Sequence, residues 1–221
     1  MFIALLAAEV TQLAARVPVA ASLRKPEVSR EVRKSAGRVV RAKLTVSPTG
    51  KPLLCYVLQE SGDRAFDDTS CAAFMASRYK PGADRAGKPA FGIVTVENIY
   101  INPREKLEYP AISDLVLAVS RMPQGAATYE VHSAVLTVDA AGNAVACDNH
   151  VQKGAASALD KILCTTALKT LHFKPALDED GKPVSSVQSF SVMFTAQSGP
   201  GDKIVVGDDN PQRILSVESK R

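Results

Sequence analysis

Apolar and polar positions fall into short blocks of two periods along the chain, and the blocks recur in the same order. Arg38-Val39-Val40-Arg41-Ala42-Lys43-Leu44-Thr45-Val46 alternates and is rich in β-branched side chains, a strand signal. Ser47-Pro48-Thr49-Gly50-Lys51 is turn chemistry: proline presets one φ and glycine accepts a positive one. Leu53 to Gln59 reads as the returning strand of a hairpin, broken by Ser61-Gly62-Asp63. Phe66 to Tyr79 spaces its apolar residues as an amphipathic helix, with Lys80-Pro81-Gly82 ending it because proline cannot continue a helix. Phe91 to Ile101 then predicts a long last strand.

The second set of blocks predicts the same elements. Tyr129 to Val138 and Ala144 to Val151 are strands about an Ala140-Ala141-Gly142-Asn143 turn, Ala158 to Leu171 a helix, and Val184 to Ala196 a last strand. Ala111 to Arg121, following Pro110, reads as an additional helix. The copies match in detail: Leu44-Thr45-Val46 with Leu136-Thr137-Val138, Gly50 with Gly142, Cys55 with Cys147, Cys71 with Cys164, and Gly87-Lys88-Pro89 with Gly181-Lys182-Pro183. The offset is 92 residues at the first cysteine, 93 at the second and 94 at Lys80-Pro81 and Lys174-Pro175. Such repetition fixes domain count and fold together. The expected class is α+β: two repeats, each a three-stranded antiparallel sheet packed with one or two helices. The expected boundaries are 24–104 and 105–196, with a Gly, Asp and Pro-rich tail over 197–221 whose Ile204-Val205-Val206 patch suits an additional strand.

Small units gain from stapling. Four cysteines allow three pairings, and equivalence of the copies favours Cys55–Cys71 and Cys147–Cys164 over the others. Each bridge would tie helix to sheet and contribute about 3 kcal/mol by loop closure. Disulfides imply an oxidising compartment, whereas buried free thiols would imply a cytosolic one. No Cys-x-x-Cys exists to suggest zinc, and His150, three residues past Cys147, has Leu58 as its counterpart, which speaks against a catalytic thiol.

Composition is that of an ordinary globular protein, 46% hydrophobic and 23% charged. The net charge of +4 is densest over Arg24-Lys25, Arg30, Arg33-Lys34, Arg38, Arg41 and Lys43. That stretch has no aromatic residue, so it reads as a solvated face and no nucleic-acid partner is expected. No run of 18 apolar residues exists, so no stable membrane span is expected in this sequence. Residues 1–23 read either as a signal-derived segment, with small residues at Val19-Ala20-Ala21-Ser22, or as an amphipathic helix carrying Leu5, Leu6, Val10, Leu13 and Val17.

Asp67 and Asp160 recur at helix starts and Lys80 and Lys174 at helix ends, where charges complement the dipole. With no convergent acid, base or nucleophile, no catalytic or metal-binding residue, cofactor or enzymatic activity is expected.

The order strand, Pro-x-Gly turn, strand, Ser-Gly, Phe/Leu-Asp, helix, aromatic-Lys-Pro, Gly-Lys-Pro, strand resembles the TonB carboxy-terminal domain. Val46 to Lys51, Ser61-Gly62, Phe66-Asp67 and Arg78 to Gly82 carry the likeness in copy one. Val138 to Gly142, Leu159-Asp160, Phe173 to Ala176 and Gly181 to Val184 carry it in copy two, with Tyr109-Pro110-Ala111 as a weaker echo. The resemblance implies a non-enzymatic periplasmic or secreted module that docks a protein or peptide, such as an outer-membrane receptor segment, as an added strand. It points to the last strands as partner-binding edges, at Ile93, Val94, Val96, Ile99 and Ile101 and at Phe190, Val192 and Phe194. The chain lacks a Pro-rich spanning linker and carries two modules, so binding without force transduction, or a structural envelope scaffold on the same fold, are the alternatives.

Overall fold

The computed structural model describes residues 14–22, 38–100, 113–125, 127–149, 157–196 and 215–216. In order they form β1 (Val19–Ser22), β2 (Arg38–Val46), β3 (Pro52–Gln59), α1 (Arg64–Met75), β4 (Arg78–Lys80), β5 (Gly82–Ala83) and β6 (Pro89–Tyr100). Then follow β7 (Leu115–Val119), β8 (Tyr129–Val138), β9 (Ala144–Asn149), α2 (Ala158–Lys169), β10 (Ala176–Leu177), β11 (Pro183–Val184), β12 (Ser186–Ala196) and β13 (Leu215–Ser216).

The two hairpins fold alike because their turns and alternation are alike. β2 pairs β3 with Leu44 opposite Cys55 and Val46 opposite Pro52; β8 pairs β9 with Leu136 opposite Cys147 and Val138 opposite Ala144. The register shifts at the same place in both, before Val46 and before Val138. Gly50 and Gly142 take φ of 82° and 90°, and a Cβ on either would strike the carbonyl oxygen of Tyr79 or Phe173. Glycine is required at both turns for conformation and for space. On one face of the sheets, Ala42, Leu44 and Val46 pack under α1, and Ala134, Leu136 and Val138 under α2, all with at most 2% exposure.

Both helices start on side-chain caps. Asp63 accepts from the Phe66 N–H at 3.1 Å, and Ser157 and Asp160 form a reciprocal capping box. Disulfides Cys55–Cys71 and Cys147–Cys164 clamp each helix to the second strand of its hairpin, with Cα atoms 5.9 and 5.6 Å apart. These separations suit bridging without backbone movement. The last strands β6 and β12 then pair antiparallel with β2 and β8 along nearly their whole length.

Four expectations are corrected. The segment 115–121 is not helical: Leu115–Val119 is a strand, parallel to β12, with Leu115, Leu117 and Val119 in the core and Val116 and Ala118 half-buried. A short apolar run fits both periods, and here cross-strand pairing wins. The first helix ends at Met75 rather than running to Tyr79, because Arg78–Lys80 is drawn out as a strand against β1. Lys80 is therefore on a strand, and Lys174 lies past α2, 5.5 Å from the ring of Tyr56, so neither caps a helix. Residues 14–22 are extended, with Ala15 fully buried, rather than helical. The rest of the 1–23 segment, the basic stretch from Arg24 to Lys34, Ile101, Tyr109-Pro110-Ala111, His150 and Ile204-Val205-Val206 lie outside the described residues.

The two units share a sheet. β6 and β12 pair parallel at Phe91–Ile93 and Ser186–Gln188, giving a nine-stranded sheet among the described residues. Gly92 stands beside Val187, so the face that carries α1 continues as the face opposite α2. The helices thus lie on opposite sides of the shared sheet. The β5–β6 turn sends Arg85 to Asp148 on β9, while the loop flanking β10 sends Lys174 over Tyr56 and Glu179 to Lys51 at 3.0 Å. Ala15, packed with Val135 and Val187, seals the seam.

Candidate functional site

The residues expected at the binding edges sit on two strands with different neighbours. β12 is bonded to β8 from Ser186 to Thr195 on one side. Its other side is taken by β6 at residues 186–188 and by β7 at residues 192–196. It is an interior strand, and the expected free edge at Phe190, Val192 and Phe194 is corrected accordingly. Those side chains are core, at most 5% exposed; Phe190 meets Phe173 edge-on at 5.3 Å.

β6 differs. β2 covers one side from Gly92 to Tyr100. Beyond Ile93, no described strand lies against the other side. Val94 and Val96 point to α1 and pack against its core, whereas Ile99 is 41% exposed. Ile93 is the last residue held on both sides.

What separates the two strands is β7 and the carboxylate that leads into it. Asp114 accepts from the N–H of Ser191 at 2.8 Å and its hydroxyl at 3.0 Å, and the Asp114 N–H donates to the Ser191 carbonyl at 2.9 Å. Its other oxygen meets Lys43 of β2 at 2.7 Å. Asp114 therefore pins β7 to β12 while bonding to the first unit. Nearby, Arg41 is ion-paired with Glu97 at 2.5 Å on the face opposite α1. No local pattern marks the Asp114 junction, since Lys43, Asp114 and Ser191 are far apart in the chain.

Two other polar clusters join residues distant in the chain. Arg85 donates to both oxygens of Asp148, at 3.0 and 2.9 Å, and Asp148 also accepts from the buried N–H of Ala15 at 3.2 Å. His132 lies between Asp160 at 2.7 Å and Glu130 at 3.2 Å. Among the described residues, no group of His, Cys, Asp and Glu is arranged to hold a metal, and no helix is long and apolar enough to cross a membrane.

The family model for the Gram-negative bacterial TonB protein C-terminal matches residues 26–100. Over these residues the first unit is similar to the TonB C-terminal domain. The match covers about a third of the chain and ends at the last residue of β6. No curated protein and no solved structure matches the chain. β6, which has no described strand beside it past Ile93, is thus the last strand within the match, and β12, bonded by β7, lies outside it.

Proposed function

We propose that this is a non-enzymatic envelope protein, periplasmic or secreted, built from two TonB C-terminal-like modules, of which the first takes an extended segment of a protein partner as an added strand on β6. The observation that carries this is the asymmetry of the last strands: β6 has no described strand beside it past Ile93, while β12 is bonded on both sides. An unpaired edge offers backbone donors and acceptors to an extended chain. Kinship of the second module is supported by its equal hairpin register and its equivalent disulfide. Two disulfides suit an oxidising compartment. The partner belongs to the envelope, an outer-membrane receptor segment being the form that links the chain to TonB-dependent transport. The second reading, a structural scaffold without a docking edge, draws on the sealed β12 and the seam between the modules.

A photo-crosslinking residue in place of Ile99 or Thr95, used in cells, tests the proposal. Capture of an extended segment of one envelope protein at both positions, with none captured from the exposed Val145 on β9, is expected. Equal capture at all three positions, or none at β6, favours the scaffold.

A further inference from the structure

We propose that His132, gripped between Asp160 and Glu130, is a proton-sensitive latch that fastens the first turn of α2 to β8 in mildly acidic surroundings and releases it as the pH rises. The ring's Nδ1 is 2.7 Å from Asp160 Oδ1 and its Nε2 3.2 Å from Glu130 Oε2. A neutral imidazole has one N–H and can donate to one carboxylate; its other nitrogen then turns a lone pair toward the second. The imidazolium donates to both. The geometry therefore selects the charged ring.

The groups facing the ring are Glu130 from β8, Asp160 from α2, and Phe194 from β12, which meets it edge-on at 5.5 Å. Val192, opposite His132 on β12, adds no charge. Among the described residues, no lysine or arginine forms an ion pair with either carboxylate. Asp160 is also the reciprocal half of the capping box, accepting from the Ser157 N–H at 2.8 Å. Loss of the imidazolium thus acts on the helix cap itself. The bridge Cys147–Cys164 holds α2 one turn further on, confining release to the turn at Ser157–Asp160.

Copy one has no such device. Val40 and Arg38 stand where copy two has His132 and Glu130, and Asp67, the counterpart of Asp160, accepts from the Ser61 N–H instead. Both copies place a carboxylate in the first turn of the helix, and only copy two sets a histidine against it.

Partial burial works to lower the imidazole pKa, but the bonds and charges of Asp160 and Glu130 outweigh it and hold it above the ordinary 6.5. Burial works to raise the Asp160 pKa, but His132 and Ser157 hold it below the ordinary 3.8. The raised imidazole contributes stability that is fully present below 6.5 and lost as the pH climbs through its folded value. The lowered carboxylate contributes stability that is present above 3.8 and lost as the pH falls through its own folded value. The latch is closed between these limits.

Amide hydrogen exchange and imidazole proton shifts, followed by NMR on the full chain between about pH 5.5 and 8.5, test this. We expect His132 to titrate above 6.5. Protection of the Asp160 N–H, which donates to the Ser157 hydroxyl in the cap, should fall severalfold through that titration once corrected for intrinsic exchange. His132→Val should abolish the pH dependence, and His172→Gln should keep it. A His132 titration at or below 6.5, or a pH dependence that survives His132→Val, overturns the proposal. If His132→Val does not fold, the wild-type titration and protection profile decide alone.

Discussion

Replacing Asp148 with alanine should loosen the whole molecule rather than one loop, because this carboxylate joins three separate segments. It receives two N–H groups of Arg85 from the turn before β6 and the backbone N–H of Ala15, and it sits on β9 of the other unit. Its side chain is 16% exposed and that of Arg85 is 36% exposed. A hydrogen bond to a charged group contributes about 1.5–3 kcal/mol, but an arginine this exposed is screened, so the pair is taken at about 1 kcal/mol. The Ala15 N–H belongs to a fully buried residue, and leaving such a donor unpaired costs about 1–3 kcal/mol. The loss is then about 2–4 kcal/mol, which for a chain of this size lowers Tm by roughly 4–16 °C. Thermal unfolding followed by circular dichroism measures it. Asp148→Asn keeps an acceptor for Ala15 and should recover about half the loss. A Tm within about 1 °C of wild type for Asp148→Ala, or equal losses for Asn and Ala, would refute the reasoning.

Three further outcomes are expected. Replacing Cys147 and Cys164 together by alanine should cost about 3 kcal/mol in urea unfolding, since the bridge closes a loop of 17 residues; no loss would mean that the bridge is absent from the purified protein. Gly92→Ala places a Cβ against the ring of Pro18 and the Val187 carbonyl, so the segment at 14–22 should lift away at a cost of about 1–3 kcal/mol and become sensitive to trypsin at Arg16; unchanged proteolysis would contradict the packing. Leu163→Ala, in the centre of the α2 core at 0% exposure, should cost about 2–5 kcal/mol by the same unfolding assay.

Elements with strong local grammar were legible. Arg38 to Val46 is β-branched and alternates from Arg41 onward, with a Pro-x-Gly turn behind it, and the strand has those bounds. The disulfides were legible because copies of one fold place equivalent cysteines alike. The strand at Leu115–Val119 was not, since five small and branched apolar residues fit a buried helix and a buried strand equally, and a parallel neighbour on β12 decides between them. The early end of α1 was hidden for a related reason: Tyr79 is pulled into pairing by Ala20, some sixty residues earlier. Edge or interior status leaves no mark on a strand's own residues, because ladder bonds are made by the backbone. Phe190 and Val94 therefore looked alike, and only the placing of β7 told β12 from β6. The His132–Asp160 and Arg85–Asp148 pairs bridge 28 and 63 residues, beyond any local pattern.

The claim that β6 accepts an added strand is tested most directly by amide exchange on the full chain, with and without the envelope segment captured by cross-linking. The account predicts new protection at alternate amides from Val94 to Ile99, the pattern of a strand bonded along one edge, and no change along β12, which is already bonded on both sides. Protection that falls on β12, on the outer strands β3 or β9, or on no amide of β6 would contradict it.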